Sequence, residues 1–163
     1  LKYECFLICA KLFFYEVYNK YIMKNIISGT VLLKILRVLM GFTFLWAFLD
    51  KTFGLGFATK PEAAWLQGGS PTTGFLTHAV RGPFESFFSS LAGVPMVDWL
   101  FMLGLLGIGL TLLLNKYVKW GALAGIVMLV LMYLAVMWPE NNPLIDEHLI
   151  YAVLLAYIAV ENK

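Results

Sequence analysis

Four long apolar segments, each with few charged side chains, constrain this chain more than any other feature of its sequence. They cover approximately residues 30–49, 98–114, 120–137 and 143–160. At about 1.5 Å per residue, helices of this length match a bilayer hydrocarbon core of about 30 Å. Backbone groups in lipid have to bond within their own segment, which favours helices over strands. The sequence therefore predicts an all-α fold, an integral membrane four-helix bundle.

Composition also indicates that lipid is the main solvent of this chain. Hydrophobic residues make up 61% of its 163 residues and charged residues only 13%, whereas soluble domains carry about 25% charged residues. The net charge of +2 is small and no basic stripe is present, which argues against a nucleic-acid partner. We therefore predict contact with the lipid bilayer and no binding to nucleic acid.

Charges near the segment ends predict the orientation. Lys24, Lys34 and Arg37 lie at the start of the first segment, and Lys116 and Lys119 lie between the second and third. The link between the third and fourth segments, WPENNPLIDEH, carries acidic residues and neither lysine nor arginine. By the positive-inside rule, both termini and the second link are cytoplasmic, and the first and third links are outside. This predicts a multi-pass protein of the cell membrane.

The first outer link, residues 51–97, is far longer than the usual connection of about 4–6 residues. Three stretches in it, KPEAAWL, GGSPTTGFL and GPFESFFSSLAG, combine helix-start and turn residues with apolar ones. The first of them predicts one short helix. Ser70 or Thr72 is a candidate helix cap in the second stretch. We expect a long, partly helical outer loop between the first two segments that covers the outer end of the bundle.

Residues 1–22 differ from the rest of the chain. Charged residues interrupt their apolar ones, so no charge-free stretch reaches the roughly 20 residues that a span needs. Both cysteines, Cys5 and Cys9, lie here. We predict an N-terminal extension, either a wrongly assigned start or an interfacial helix. The transmembrane domain is then residues 23–163, for which Met23 is a natural first residue.

Glycines in the second and third segments predict close helix packing. Gly121 and Gly125 form a GxxxG pair in the third segment. Gly104, Gly107 and Gly109 leave one side of the second segment with few side chains. Small residues at this spacing let two helix backbones approach. The pattern is typical of packing inside one bundle, and the alternative is the seam of a homo-oligomer.

Ionisable residues at membrane depth are costly and are therefore candidates for function. Arg37 lies roughly 10 Å inside the first segment by helical rise. Its side chain either binds an inward partner, such as a carbonyl or a ligand oxygen, or reaches back to the headgroups. At the outer end, Asp50 closes the first segment and His148 lies near the start of the fourth. An imidazole can gain or lose a proton near neutral pH, so His148 is either a proton-exchanging group or a hydrogen-bonded structural residue.

Several motifs resemble the DoxX/DoxD family of small membrane proteins. In chain order they are RVLMGFTFLWAFLDK, WLQGGSPTTGFL, GPF, LAGVPMVDWLFMLGLLGIGLTLLL and WPENNPLIDEHLIYAVLLAYIA. The resemblance covers approximately residues 32–159, and residues 1–22 have no counterpart in it. Its most specific parts are the GSPT-GFL and ENNP-IDEH-Y stretches.

This resemblance implies a four-helix fold and quinone-coupled redox chemistry, because the family is named from the membrane subunit of a thiosulfate:quinone oxidoreductase. Oxidation of thiosulfate usually requires a thiol, a haem or a flavin. The matched region has no cysteine, and His78 and His148 are the only histidines. We therefore expect quinone as the cofactor, no metal or haem site in this chain, and a second redox subunit as a partner.

On this hypothesis, a quinone headgroup lies beneath the outer loop. The candidate site residues are His148 and Asp50 as catalytic proton exchangers, Arg37, Trp138 and Tyr151 in contact with the quinone, and Lys51 and Arg81 in contact with an anionic substrate. The alternative is a non-catalytic membrane scaffold that anchors a soluble redox partner. In that case the same polar cluster is a docking surface and the long loop is its recognition element.

Single cysteines test the predicted orientation. In a chain with Cys5 and Cys9 replaced by serine, Asn141→Cys and Thr72→Cys should react with a membrane-impermeant thiol reagent in intact cells. Asn115→Cys should react only after the cells are opened, because the lysine-rich link is predicted to be cytoplasmic. Labelling of Asn115→Cys alone in intact cells would contradict the orientation.

Overall fold

The computed structural model describes residues 28–139, 142 and 144–162. The extension predicted over residues 1–22, and Met23, lie outside this part of the chain. Leu36–Lys163 form one compact unit, and all contacts given below lie within it. The other unit, Leu1–Ile35, contributes the beginning of the first helix to the described structure.

The described residues are all-α, with a single isolated bridge between Arg81 and Val136 and no strand. The helices, in chain order, are α1 (Gly29–Phe53), α2 (Thr73–His78), α3 (Glu85–Ser89), α4 (Pro95–Leu113), α5 (Val118–Ala135) and α6 (Glu147–Glu161). Helices α1, α4 and α5 are long and apolar enough to cross a membrane. They coincide with the first three predicted segments, which confirms an all-helical chain with membrane-spanning character.

The fourth apolar segment forms a shorter helix than the sequence predicts. Helix α6 has 15 residues, or about 22 Å at the usual helical rise, which is less than a hydrocarbon core of about 30 Å. It begins at Glu147 because the carboxylate of Asp146 accepts a hydrogen bond from the backbone N–H of Leu149 at 3.1 Å. The predicted segment 143–160 is therefore a helix over 147–161.

Residues 54–94, called the cap below, connect α1 to α4 and contain short helices as predicted. The KPEAAWL stretch, expected to be one helix, forms two 3₁₀ turns, Pro61–Ala63 and Trp65–Gln67. They are separate because Ala64 between them is extended, with φ −60° and ψ 142°. Helices α2 and α3 follow in the other two stretches, so the long loop is partly helical as predicted.

Glycines determine how closely α5 approaches its neighbours. A methyl group at Gly121 would lie 1.9 Å from the hydroxyl oxygen of Thr111 in α4, a distance that requires glycine. One at Gly125 would lie within 4 Å of a side chain from each of the other long helices, namely Phe44, Ile108 and Leu155. The GxxxG pair therefore packs against helices of the same chain, which is the first of the two interpretations given above.

Arg37 joins α1 to the end of α4. Its side chain is buried and donates a hydrogen bond from Nη1 to the backbone carbonyl of Leu112. Carbonyls in the last turn of a helix lack partners within it and carry the negative end of the helix dipole. The inward partner of Arg37 is thus a carbonyl group, and it lies at the opposite end of α4 from the cap.

Candidate functional site

Asp50 fastens the beginning of the cap to α1. It is 2% exposed and lies in the last turn of that helix. Its Oδ1 accepts a hydrogen bond from the backbone N–H of Phe57 at 3.3 Å, and its Oδ2 accepts one from that of Ala58 at 3.0 Å. A carboxylate at this end of a helix faces the negative end of the dipole. The two N–H groups offset that unfavourable position and hold the chain after α1 over the helix end.

Asp98 fastens the middle of the cap to α4. It is also buried, and it lies in the first turn of its helix, where the dipole favours a negative charge. One oxygen, Oδ1, accepts hydrogen bonds from the hydroxyls of Ser70 at 2.9 Å and Thr72 at 2.5 Å, and from the backbone N–H of Thr72 at 3.2 Å. Because Thr72 is buried by these contacts, exposed Ser86 is a better cap position for cysteine labelling.

A third attachment joins the cap to the end of α5. The backbone N–H of Arg81 donates to the carbonyl of Ala135 at 2.9 Å. Next to it, Gly82 has a φ of 82°, and a methyl group there would lie 2.4 Å from the carbonyl oxygen of Met137. Both the backbone conformation and the lack of space require glycine. The cap is therefore attached at the ends of three different long helices.

Apolar side chains seal the cap against α5. Leu76 of α2, Phe88 of α3 and Ala135 of α5 are buried in one cluster, with Phe75 and Leu91 packed against it. The same five residues line one end of an apolar cavity of about 630 Å³. The cap is thus the roof of this cavity, and helices α4 and α5 form its walls.

Lys51 is the only charged residue among the described residues that line the cavity. It is half-buried, and its Nζ lies 5.9 Å from the centroid of the Phe101 ring, close enough for a cation–π attraction. The walls are otherwise formed by residues such as Leu100, Leu123 and Val127. An ammonium donor at one end of an apolar cavity suits a ligand with an acceptor group at one end and an apolar remainder.

His148 is paired with Asp146 in the same segment. Its Nδ1 lies 2.6 Å from Asp146 Oδ2, and the side chains of the two residues are 14% and 6% exposed. The other oxygen of Asp146 caps α6, so this carboxylate both starts the helix and orients the imidazole. His148 and Asp50 are predicted to exchange protons with the same ligand. In the structure, His148 bonds to Asp146, whereas Asp50 accepts hydrogen bonds from backbone N–H groups of the cap. Their catalytic roles stay predictions.

The remaining predicted site residues are placed differently from Lys51. Trp138 and Tyr151 are 59% and 39% exposed, and neither is among the described residues that line the cavity. Arg81 is half-buried where its backbone meets the end of α5. Arg37 lies at the far end of α4. Of the predicted residues, the structure brings only Lys51 to the cavity wall.

Sequence reasoning missed Asp98 and the cavity itself. Asp98 stands at the start of an apolar segment, where an acidic residue is expected for electrostatic reasons alone. Its pairing with Ser70 and Thr72 spans 26 residues or more, and the sequence offers no signal for that pairing. Within the part of the chain that the structure describes, no three His, Cys, Asp or Glu side chains are placed to hold a metal ion.

Comparison with known proteins adds no further constraint. The chain matches no protein-family model, no curated protein and no solved structure. The resemblance given above therefore rests on the quoted motifs alone.

The attachment at Asp98 predicts a large loss of stability on truncation. Asp98→Ala should lower the free energy of unfolding by about 2–4 kcal/mol, because three donors lose their acceptor and an orphaned buried donor costs about 1–3 kcal/mol. Glu62→Ala, the same kind of change at an exposed acid of the cap, should change it by less than about 0.5 kcal/mol. Denaturant unfolding in detergent measures both. Equal effects of the two changes would show that Asp98 does not hold the cap.

Proposed function

We propose that this chain is the membrane subunit of a quinone-linked oxidoreductase, with thiosulfate as the candidate electron donor. The observation that carries the proposal is the capped apolar cavity with Lys51 at its wall. The motifs that resemble the DoxX/DoxD family point to the same chemistry. The electrons come from a second redox subunit, because the matched region has no cysteine that could react with a sulfur donor.

The cavity has the size and chemistry that a quinone requires. Pockets for small molecules commonly measure about 300–1,000 Å³ and are mostly apolar with few polar groups, and this one measures about 630 Å³. A quinone is a flat apolar ring whose carbonyl oxygens accept hydrogen bonds. The ammonium of Lys51 is a donor for one of those oxygens, and it would stabilise negative charge that develops there on reduction.

We propose that the domain crosses the cell membrane four times, with both ends in the cytoplasm. The support for this arrangement is the packing at Gly125, where side chains from α1, α4 and α6 meet. Helix α6 is short, but exposed Leu144 and Ile145 precede it and extend its apolar surface. The basic link after α4 and the acidic link after α5 supply the orientation.

We propose His148 as the source of the proton for a reduced quinone. Because it is not among the described residues that line the cavity, that proton would reach a ring at Lys51 through intervening water. Asp146 accepts a hydrogen bond from Nδ1 of the imidazole and so leaves Nε2 for proton exchange. Asp50, whose oxygens both hold backbone N–H groups, is better suited to fixing the cap over the ring than to exchanging protons itself. Its contribution to the site is then the position of Lys51, the next residue in the chain.

A non-catalytic scaffold is the second candidate, and exposed apolar side chains of the cap favour it. Phe57, Leu66 and Phe87 are 75%, 66% and 60% exposed. Exposed apolar residues grouped on one segment are typical of a surface that contacts a protein partner or lipid. On this reading the cap anchors a soluble redox protein, and the cavity plays no part in the reaction.

Quinone binding by the purified protein tests the leading proposal. A tailless quinone should quench the intrinsic tryptophan fluorescence of the protein in nanodiscs. Lys51→Met should weaken its binding by about tenfold or more, because a hydrogen bond to a charged group contributes about 1.5–3 kcal/mol. Lys60→Met removes an exposed lysine of the cap and should leave binding unchanged.

His148→Ala locates the headgroup independently. If the ring lies at Lys51, this variant should bind the tailless quinone as the unchanged protein does. Normal binding by Lys51→Met together with loss of binding by His148→Ala would place the headgroup at His148, away from the cavity. Absence of binding by the unchanged protein would favour the scaffold.

A further inference from the structure

The cavity is elongated along α5. Its lining on that helix begins at Trp120 and ends at Ala135, which is about 22 Å at 1.5 Å per residue. Helix α4 contributes lining residues only from Val97 to Gly104. Lys51 and the cap therefore belong to the half near Ala135, and the half near Trp120 is a groove along α5. Gly104 lies at the boundary between the two halves.

The space next to Gly104 is filled by the end of one flexible side chain. A methyl group at Gly104 would lie 2.4 Å from Met128 Cε and would meet no other atom within 4 Å. At Gly109, by contrast, a methyl group would lie 2.9 Å from the backbone nitrogen of Leu45, so that glycine is required for helix approach. Close helix packing explains Gly109 but does not explain Gly104. What a side chain at position 104 would change is the cavity, because Gly104 and Met128 both line it.

An amphiphile with a long tail fits this shape. The only charged lining residue among those described is Lys51, in the half beneath the cap, and the half near Trp120 is lined by Leu123, Ala124 and Val127. A ligand whose headgroup binds Lys51 therefore has an apolar path along α5, past Gly104 and Met128, in a groove whose Leu123 and Val127 side chains are also exposed.

We propose that Gly104 and Met128 form a passage for the isoprenoid tail of a quinone, and that residue 104 determines the tail length that the site accepts. The proposal rests on the proposed function, since it takes the headgroup to be at Lys51. Without a side chain at position 104, the tail extends along α5 towards Trp120. A larger residue there, with the displaced Met128 side chain, closes the passage and leaves the headgroup space beneath the cap unchanged.

Photolabelling tests the passage. The probe is a quinone with a diazirine at the end of a tail long enough to reach Trp120, and a tailless quinone serves as the headgroup probe. In the unchanged protein, the diazirine should label the peptide that contains Trp120–Val127. Gly104→Leu should reduce this labelling by about tenfold or more, because the added side chain and the displaced Met128 side chain block the path of the tail. The same variant should bind the tailless quinone within about twofold of the original affinity.

Two further variants control for damage to the fold. Gly107→Leu adds the same side chain one turn away, at an exposed position with no atom within 4 Å, and should keep full labelling. Gly104→Leu combined with Met128→Ala removes the clashing methyl group and should restore labelling. If Gly104→Leu and the unchanged protein are labelled equally and both bind the tailless quinone, the passage hypothesis is wrong and the proposed function still stands. Failure of the tailless quinone to bind the unchanged protein would overturn the passage and the proposed function together.

Discussion

The rest of this structure depends on one buried carboxylate oxygen, Asp98 Oδ1, which accepts three hydrogen bonds. A buried charge without partners is strongly unfavourable, so Asp98 is tolerated only while Ser70 and Thr72 donate to it. Those donors lie in the cap, far from Asp98 in sequence. The stability of the α4 start and the position of the cap are therefore coupled. Asp50 repeats the arrangement at the end of α1 with backbone donors.

These attachments create the cavity. With the cap held at the ends of α1, α4 and α5, its apolar residues Leu76 and Phe88 face α5 and cover space that would otherwise be open. The same constraint places Lys51, the neighbour of Asp50, at the cavity wall. The cap covers the half of the cavity near Ala135, and the cavity continues along α5 towards Trp120. The shape of the cavity is thus a consequence of how the long loop is held.

Much of the fold could be predicted from the sequence, because hydropathy over about 20 residues reports directly on membrane-spanning helices. The partly helical loop was also predictable, since proline and glycine mark where short helices begin and end. The fourth apolar segment was predicted from about residue 143, whereas α6 begins at Glu147, because Asp146 caps the helix through the backbone N–H of Leu149. Glycine spacing correctly indicated packing within the chain at Gly109, Gly121 and Gly125, but not at Gly107, which is exposed with no atom within 4 Å of an added methyl group.

The candidate site was predictable only in part. Sequence reasoning singled out Lys51, as a contact for an anionic substrate, because polar residues in an apolar chain are few, and the structure places Lys51 at the cavity wall. It could not pair Asp98 with Ser70, since contacts between distant segments depend on three-dimensional packing. Its assignment of Asp50 to proton exchange stays a prediction, and nothing in the sequence indicated that both oxygens of Asp50 accept hydrogen bonds from backbone N–H groups. A cavity is a property of how surfaces fit, and no local pattern encodes it.

Hydrogen exchange of the cap in nanodiscs tests the central claim most directly. The amide of Ala58 donates to Asp50 and that of Thr72 donates to Asp98, so both should exchange at least about 10²-fold more slowly than in an unstructured peptide. Exchange of both amides at the unstructured rate, while α4 and α5 stay protected, would show that the carboxylates do not hold the cap and that the cavity has no fixed roof.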